Sequence, residues 1–122
     1  MAERHPNCVF CKIVAGEIPS TKVLEDDGVL AIKDIQPIAE GHIVVLSQNH
    51  YAEVGQMPAA ERAQLFNTAI ELGEEMIKKG EAEGYNVVLS SNEAAQSSVA
   101  HRPHLHVIPR KTGDDLRIDP RT

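Results

Sequence analysis

Short runs of β-branched and apolar residues, bounded by turn-forming residues, recur in the first 50 positions of the chain. Lys22–Glu25 and Val29–Lys33 are two such runs, and the intervening Asp26-Asp27-Gly28 is a strong hairpin signal. Ile43–Leu46, which follows Gly41-His42, predicts a buried third strand. This part of the chain is therefore expected to form three strands of a sheet.

Apolar residues recur at helical spacing between Pro58 and Lys79, which predicts the longest helix of the chain. They form two adjacent rows, with Leu65, Ala69, Leu72 and Met76 in one and Phe66, Ile70 and Ile77 in the other. We expect this stripe to pack on one face of the sheet. A shorter helix is predicted within residues 8–18 and should end at Gly16.

The last third of the chain contains two further predicted strands, Tyr85–Ser90 and His104–Ile108, separated by a small and polar loop at 91–100. The order hairpin, strand, helix, strand, loop, strand is typical of an antiparallel α+β domain rather than of regular βαβ units. A chain of 122 residues is long enough to bury one core. We expect a single domain over residues 1–122.

Composition narrows the class of partner. The formal net charge of −6 argues against binding to a nucleic-acid polymer, which needs clustered lysine and arginine. A mononucleotide stays possible, because a few local donors can hold one phosphate. No apolar run approaches the roughly 18 residues of a membrane span, and the first residues lack the apolar core of a secretory signal. We expect a cytoplasmic protein without membrane contact.

Five of the six histidines fall in segments with predicted order, and two of them, His104 and His106, are separated by one residue. In a strand both rings project from one face, while Leu105 and Val107 point into the core. Such a pair fits a polar strand face without chemistry, a metal chelate, or a nucleophile with a supporting partner. Periodicity does not choose among these three interpretations.

Four sequence blocks, in this order, resemble the blocks of the histidine triad (HIT) family, whose signature is His-φ-His-φ-His-φ-φ with φ hydrophobic. They are residues 8–19 (CVFCKIVAGEIP), 30–37 (LAIKDIQP), 41–50 (GHIVVLSQNH) and 96–110 (QSSVAHRPHLHVIPR). The resemblance covers about residues 8–110 and leaves a short C-terminal tail at 111–122. It implies a HIT-like fold with a five-stranded antiparallel sheet, one long helix and a short N-terminal helix.

The resemblance also implies a nucleotide hydrolase or nucleotidyltransferase that works as a homodimer with joined sheets. His104 would attack the α-phosphate and form a nucleotidyl-histidine, which water then resolves, with His42 and His106 as supporting histidines. The other positions carried over form the nucleotide site: Asp34 for ribose, Ile32 and Ile35 for the base, Ser98 near the leaving group, and Gln96 and Asn92 from the loop. Asp34 could instead be only a turn residue.

The sequence departs from the family signature at the start of the triad. His101-Arg-Pro-His104 contains one residue more than the signature allows, and simple alternation would place His101 on the face opposite His104. A β-bulge at Arg102-Pro103 would absorb the extra residue and leave His104 and His106 in register.

The spacing of Cys8-Val-Phe-Cys11 suggests either half of a metal site or a redox pair, rather than a structural disulfide. A tetrahedral zinc site would need two more ligands. Some bacterial members of the family complete it with the histidine after the third strand and the first triad histidine, which are His50 and His101 here. The resemblance thus implies a structural Zn²⁺ held by two cysteines and two histidines. The alternative is two small buried thiols and two surface histidines.

Three functions follow from these observations. The first is hydrolysis of a nucleoside phosphoramidate, a dinucleoside polyphosphate or a similar conjugate of a purine nucleoside monophosphate. The second is a metal-dependent hydrolase with His42, His104 and His106 as ligands, although no carboxylate partner is evident. The third is a non-catalytic nucleotide-binding protein.

Overall fold

The computed structural model describes residues 9–91 and 103–118. The elements in chain order are α1 (Val9–Val14), β1 (Lys22–Glu25), β2 (Val29–Lys33), β3 (Ile43–Ser47), a 3-10 turn (Val54–Gln56), α2 (Ala59–Lys78), β4 (Gly84–Val88) and β5 (His104–Arg110). The first two strands have the predicted bounds, and α2 begins directly after Pro58. Gly16, at φ +80°, follows the end of α1 as predicted.

All five strands form one antiparallel sheet in the order β1-β2-β3-β5-β4. The predicted α+β architecture is therefore confirmed. β5 runs two residues further than predicted, because Tyr85 and Gly84 of β4 pair with Pro109 and Arg110. The pairing of β5 with β3 ends at Val107, so Pro109, which has no N–H to donate, lies beyond the β3–β5 ladder.

One face of the sheet packs against α2 around a continuous apolar core. Leu65, Ala69, Leu72 and Met76 of the helix meet Val45, Leu105 and Val107 of the strands. The first predicted helical row is thus the buried one. Of the second row, Phe66 is only partly buried, and Ile70 and Ile77 are exposed. The buried stripe of α2 is therefore narrower than the sequence pattern predicts.

The opposite face of the sheet carries a second apolar cluster. Leu30, Ile32, Val44 and Leu46 pack there with Ile13 and Val14 of α1. His104 and His106 lie on this face, since they pair with Leu46 and Val44 across the β3–β5 ladder. Leu105 and Val107 belong to the helix-side core, as the predicted alternation requires. Among the described residues, no helix is both long enough and apolar enough to cross a membrane.

Candidate functional site

Three buried imidazoles meet on the α1 face of the sheet. His104 and His106 come from β5, and His42 stands just before β3, after a turn in which Gly41 adopts a φ of +91°. The ring centroids of His42 and His106 are 5.0 Å apart, and those of His104 and His106 are 5.2 Å apart in an edge-to-face arrangement. The structure therefore brings the three predicted histidines together.

A chain of hydrogen bonds determines where these rings carry their protons. The backbone N–H of Ile38 donates to Nδ1 of His42 at 3.3 Å, so the neutral ring must carry its hydrogen on Nε2. That nitrogen lies 2.9 Å from Nδ1 of His106 and donates to it. His106 then carries its own hydrogen on Nε2, at the ring edge away from His42. A backbone amide thereby favours one tautomer of each ring.

Asp34 stands beside this hydrogen bond. Its Oδ2 lies 3.5 Å from Nε2 of His42 and 3.8 Å from Nδ1 of His106. Its Oδ1 accepts the backbone N–H of Gln36 at 2.8 Å, and its own N–H donates to the carbonyl of His42. The interpretation of Asp34 as a turn residue is thus correct for one carboxylate oxygen. The approach of the other oxygen to the imidazole pair was not anticipated from the sequence.

Burial and the nearby charge of Asp34 shift the pKa of His42 in opposite directions. Removal of the ring from water lowers the pKa of His42 below its ordinary value of 6.5, and the nearby negative charge of Asp34 partly opposes this. Burial is the larger cause. His42 is therefore neutral at pH 7, which agrees with the tautomer assignment above.

Asp34, His42 and His106 also have donor atoms close enough to hold a metal ion, since one from each residue lies within 4.8 Å of the others. The three separations are compatible with a tetrahedral edge of about 3.3 Å, expected for zinc with bonds of about 2.0 Å. The hydrogen bonding of His42 opposes this. A ligating histidine normally donates from its second nitrogen, whereas Nδ1 of His42 accepts the Ile38 N–H.

Comparison with known proteins identifies the family. A family model described as the HIT domain matches residues 15–113. The chain belongs to the HIT family. It is 41% identical over 107 residues to an uncharacterized HIT-like protein of Methanocaldococcus jannaschii, covering 88% of this chain and 81% of that protein. It is 35% identical over 113 residues to adenosine 5′-monophosphoramidase HNT1 of Candida albicans, covering 88% and 72% of the two chains.

Solved structures of HIT proteins share the fold. A zinc-bound histidine triad protein from Mycobacterium smegmatis aligns with a TM-score of 0.85 and 32% sequence identity, covering 94% of this chain and 86% of that one. This agreement supports the five-stranded antiparallel sheet with a long helix that the HIT resemblance implied.

The two residues expected to contact the nucleobase differ in their exposure to solvent. Ile32 is buried on the imidazole face, in a row with Val44 and His106 across three adjacent strands. Ile35, directly after Asp34, is 88% exposed. Asn92, Gln96 and Ser98 lie outside the described residues.

The zinc ligands expected for this HIT protein fall largely outside the described part of the chain. This holds for Cys8, for the side chain of Cys11 and for His101. His50 is half-buried, three residues after the end of β3.

The predicted β-bulge at Arg102-Pro103 is not tested, because Arg102 lies outside the residues that the structure describes. From His104 onward the β3–β5 ladder advances one residue at a time, without a register shift. His104 and His106 are therefore in register on one face, as predicted.

A cavity of about 730 Å³ lies on the helix side of the sheet, lined among others by Ile43, Leu72 and Met76. None of the three imidazoles lines it. The three imidazoles lie instead on the α1 face, where His104 is only 4% exposed. The two faces of the sheet thus have separate roles, one for the main core and one for the histidines.

Proposed function

We propose that this HIT protein is a cytoplasmic nucleotide hydrolase that cleaves conjugates of a purine nucleoside monophosphate at the α-phosphate. The relative from Candida albicans is named an adenosine 5′-monophosphoramidase, so a nucleoside phosphoramidate is the leading substrate class. A dinucleoside polyphosphate is the second. The observation that carries the proposal is the His42–His106 pair, whose hydrogen bond leaves an N–H on Nε2 of His106.

His104 is the proposed nucleophile. A neutral imidazole nitrogen attacks the α-phosphorus, the N–P bond forms, and the leaving group departs with the electrons of its bond to phosphorus. Water then attacks the nucleotidyl-histidine, releases the nucleoside monophosphate and restores the ring. His106, whose ring lies edge-to-face with that of His104, would donate its Nε2 hydrogen to a phosphate oxygen.

The remaining nucleotide contacts are proposed from the family positions. Asp34 would bind ribose hydroxyls, and the exposed Ile35 with the buried Ile32 would contact the base. Ser98 would lie near the leaving group, and Gln96 and Asn92 would contact phosphate. These last three residues are proposed on sequence position alone.

The decisive experiment compares wild type with His104→Ala on a fluorogenic adenosine phosphoramidate and a panel of dinucleoside polyphosphates, each with and without a chelator. We expect His104→Ala to lose at least ~10³-fold in kcat. Wild type should form a trappable nucleotidyl-protein in the presence of chelator. Equal turnover by both proteins would refute the nucleophile assignment. Turnover that chelators abolish, without a covalent adduct, would support the metal-dependent hydrolase instead.

A structural Zn²⁺ held by Cys8, Cys11, His50 and His101 is a separate part of the proposal. Two cysteines and two histidines would supply the four donors that tetrahedral zinc requires, and a HIT neighbour of similar fold is zinc-bound. Such an ion would stabilise the fold and take no part in catalysis. Zinc analysis of purified protein should give one ion per chain, and Cys11→Ser should lose it. Metal-free wild type that is stably folded would end this idea.

A homodimer is proposed through β4, one of the two edge strands of the sheet. Among the described residues β4 pairs only with β5. Tyr85 of β4 packs against Gly73 of α2, the helix that also carries the exposed Ile70 and Ile77. Two β4 edges would join two sheets into one. Ile70→Glu with Ile77→Glu should shift sedimentation to a monomer, whereas Ile35→Glu, at an equally apolar exposed site, should not. A monomeric wild type at micromolar concentration would refute the dimer.

A further inference from the structure

The carboxylate of Asp34 has a position that ribose binding does not explain. Only 16% of the Asp34 side chain is exposed, and Oδ1 is engaged by the N–H of Gln36. The other oxygen faces the two nitrogens that share the hydrogen of the His42–His106 bond, at 3.5 and 3.8 Å. A group that served ribose alone would have no reason to turn its free oxygen toward a buried imidazole pair.

We propose that Asp34 is a positioning residue for the His42–His106 pair, which it holds in the one arrangement that offers an N–H to the substrate phosphate. This inference rests on the proposed function for its catalytic consequence. Its structural content, the effect of one carboxylate on two tautomers, concerns the free protein and does not require a substrate.

The physical reason is that a carboxylate only accepts hydrogen bonds. The free oxygen of Asp34 lies closer to Nε2 of His42, at 3.5 Å, than to Nδ1 of His106, at 3.8 Å, so its charge favours the shared hydrogen on Nε2 of His42. The Ile38 amide disfavours a hydrogen on Nδ1 of His42 from one side of the ring, through a bond of 3.3 Å. Asp34 favours the hydrogen on Nε2 from the other side. Both groups therefore select the same tautomer of His42, and through it that of His106.

Loss of the Asp34 charge would weaken this selection. When the shared hydrogen resides on Nδ1 of His106, the Nε2 of that ring becomes an acceptor. An acceptor pointed at an anionic phosphate is repelled and cannot stabilise the transition state. The expected defect of Asp34→Asn is therefore in kcat. A residue that binds only ribose hydroxyls would produce a defect that depends on those hydroxyls.

Asp34→Asn keeps an oxygen for the Gln36 N–H, removes the charge and replaces the oxygen that faces the imidazoles with an NH2 donor. Its matched control is Glu40→Gln, the same charge change at an exposed position of the same loop. Both variants are assayed on adenosine 5′-phosphoramidate and on its 2′,3′-dideoxy analogue. We expect Asp34→Asn to lower kcat at least ~10-fold on both substrates, with Glu40→Gln unchanged. A defect confined to the ribonucleoside substrate would overturn the inference.

A second measurement needs no turnover. Ring ¹⁵N spectra of the free protein report which nitrogen carries hydrogen. Wild type and Glu40→Gln should show His42 and His106 each protonated on Nε2 alone, and Asp34→Asn should show averaged tautomers. Unchanged spectra in Asp34→Asn, or a different tautomer in wild type, would overturn the inference. If no nucleotide is hydrolysed, the proposed function fails, while these spectra still decide the role of Asp34.

Discussion

Gly73 is the position on α2 where the structure leaves least room for a side chain. A Cβ at this position would lie 2.5 Å from two ring carbons of Tyr85, well inside ordinary van der Waals contact. The ring has little freedom to retreat, because its hydroxyl donates to Glu74 at 2.8 Å and its backbone pairs with Pro109 in β5. Gly73→Ala therefore forces either the helix or β4 to move.

Two opposing terms determine the result. Alanine in a helix interior is favoured over glycine by about 1 kcal/mol, while overpacking of a well-filled site costs roughly 1–3 kcal/mol and more when the neighbour is tethered. With Tyr85 held at both ends, we expect the overpacking cost to win. The free energy of unfolding should fall by about 1–2 kcal/mol, with a decrease of roughly 4–8 °C in Tm.

A double-mutant cycle isolates this contact. In a Tyr85→Ala background the obstructing ring is gone, so Gly73→Ala should stabilise the protein by about 1 kcal/mol. Urea unfolding followed by circular dichroism gives all four values. The measurement is made at two protein concentrations, since β4 is the proposed dimer edge and mass action would otherwise enter. If Gly73→Ala stabilises the wild-type background too, the packing argument is wrong.

Three further predictions address the site and the tail. Ile38→Pro removes the N–H that donates to Nδ1 of His42, so it should lower kcat about 3–10-fold relative to Ile38→Ala. Equal kcat values would contradict the role of this hydrogen bond in selecting the His42 tautomer. Because burial lowers the pKa of His42, the free energy of unfolding should decrease as pH falls below 6.5, and a His42→Gln variant should lose that slope. The side chain of Arg110 and two backbone amides hold the pKa of Asp114 well below its ordinary value of 3.8. The ionised Asp114 therefore stabilises the fold above pH 3.8, and this stabilisation is lost as the pH falls below that value. In an acid titration of unfolding, Asp114→Asn should not show this loss of stability.

Local sequence patterns were sufficient for most of the fold. Lys22–Glu25 and Val29–Lys33 are strands with the predicted bounds, since a hairpin between β-branched runs needs little outside information. β4 was predicted as Tyr85–Ser90 and is Gly84–Val88. Its bounds depend on the residues of β5 that it pairs with, and no pattern within β4 contains that information.

The site was only partly predictable, for a similar reason. Alternation along β5 was enough to place His104 and His106 on one face. His42 came only from the family resemblance, since an isolated histidine after a glycine has no periodicity to interpret. The approach of Asp34 to both rings results from the fold of the loop at 34–42, where an Asx turn and the positive φ of Gly41 bring its two ends together. The sequence predicts a turn at Asp34, but it does not predict that the loop brings Asp34 next to His42.

The hydrogen bond from Ile38 orients the imidazole pair through the backbone rather than through another side chain. A side-chain donor could rotate away or change its protonation, whereas the Ile38 N–H is fixed by the backbone and does not titrate near neutral pH. The His106 end is equally constrained, because its backbone pairs with Val44, two residues beyond His42. His42 and His106 are therefore both attached to the sheet or to its adjoining loop. Rotation of either ring would break a bond in a buried environment, where an unsatisfied polar group costs about 1–3 kcal/mol. In the proposed mechanism, the Nε2–H of His106 is therefore oriented before substrate binds, the condition under which hydrogen bonds contribute most to a transition state.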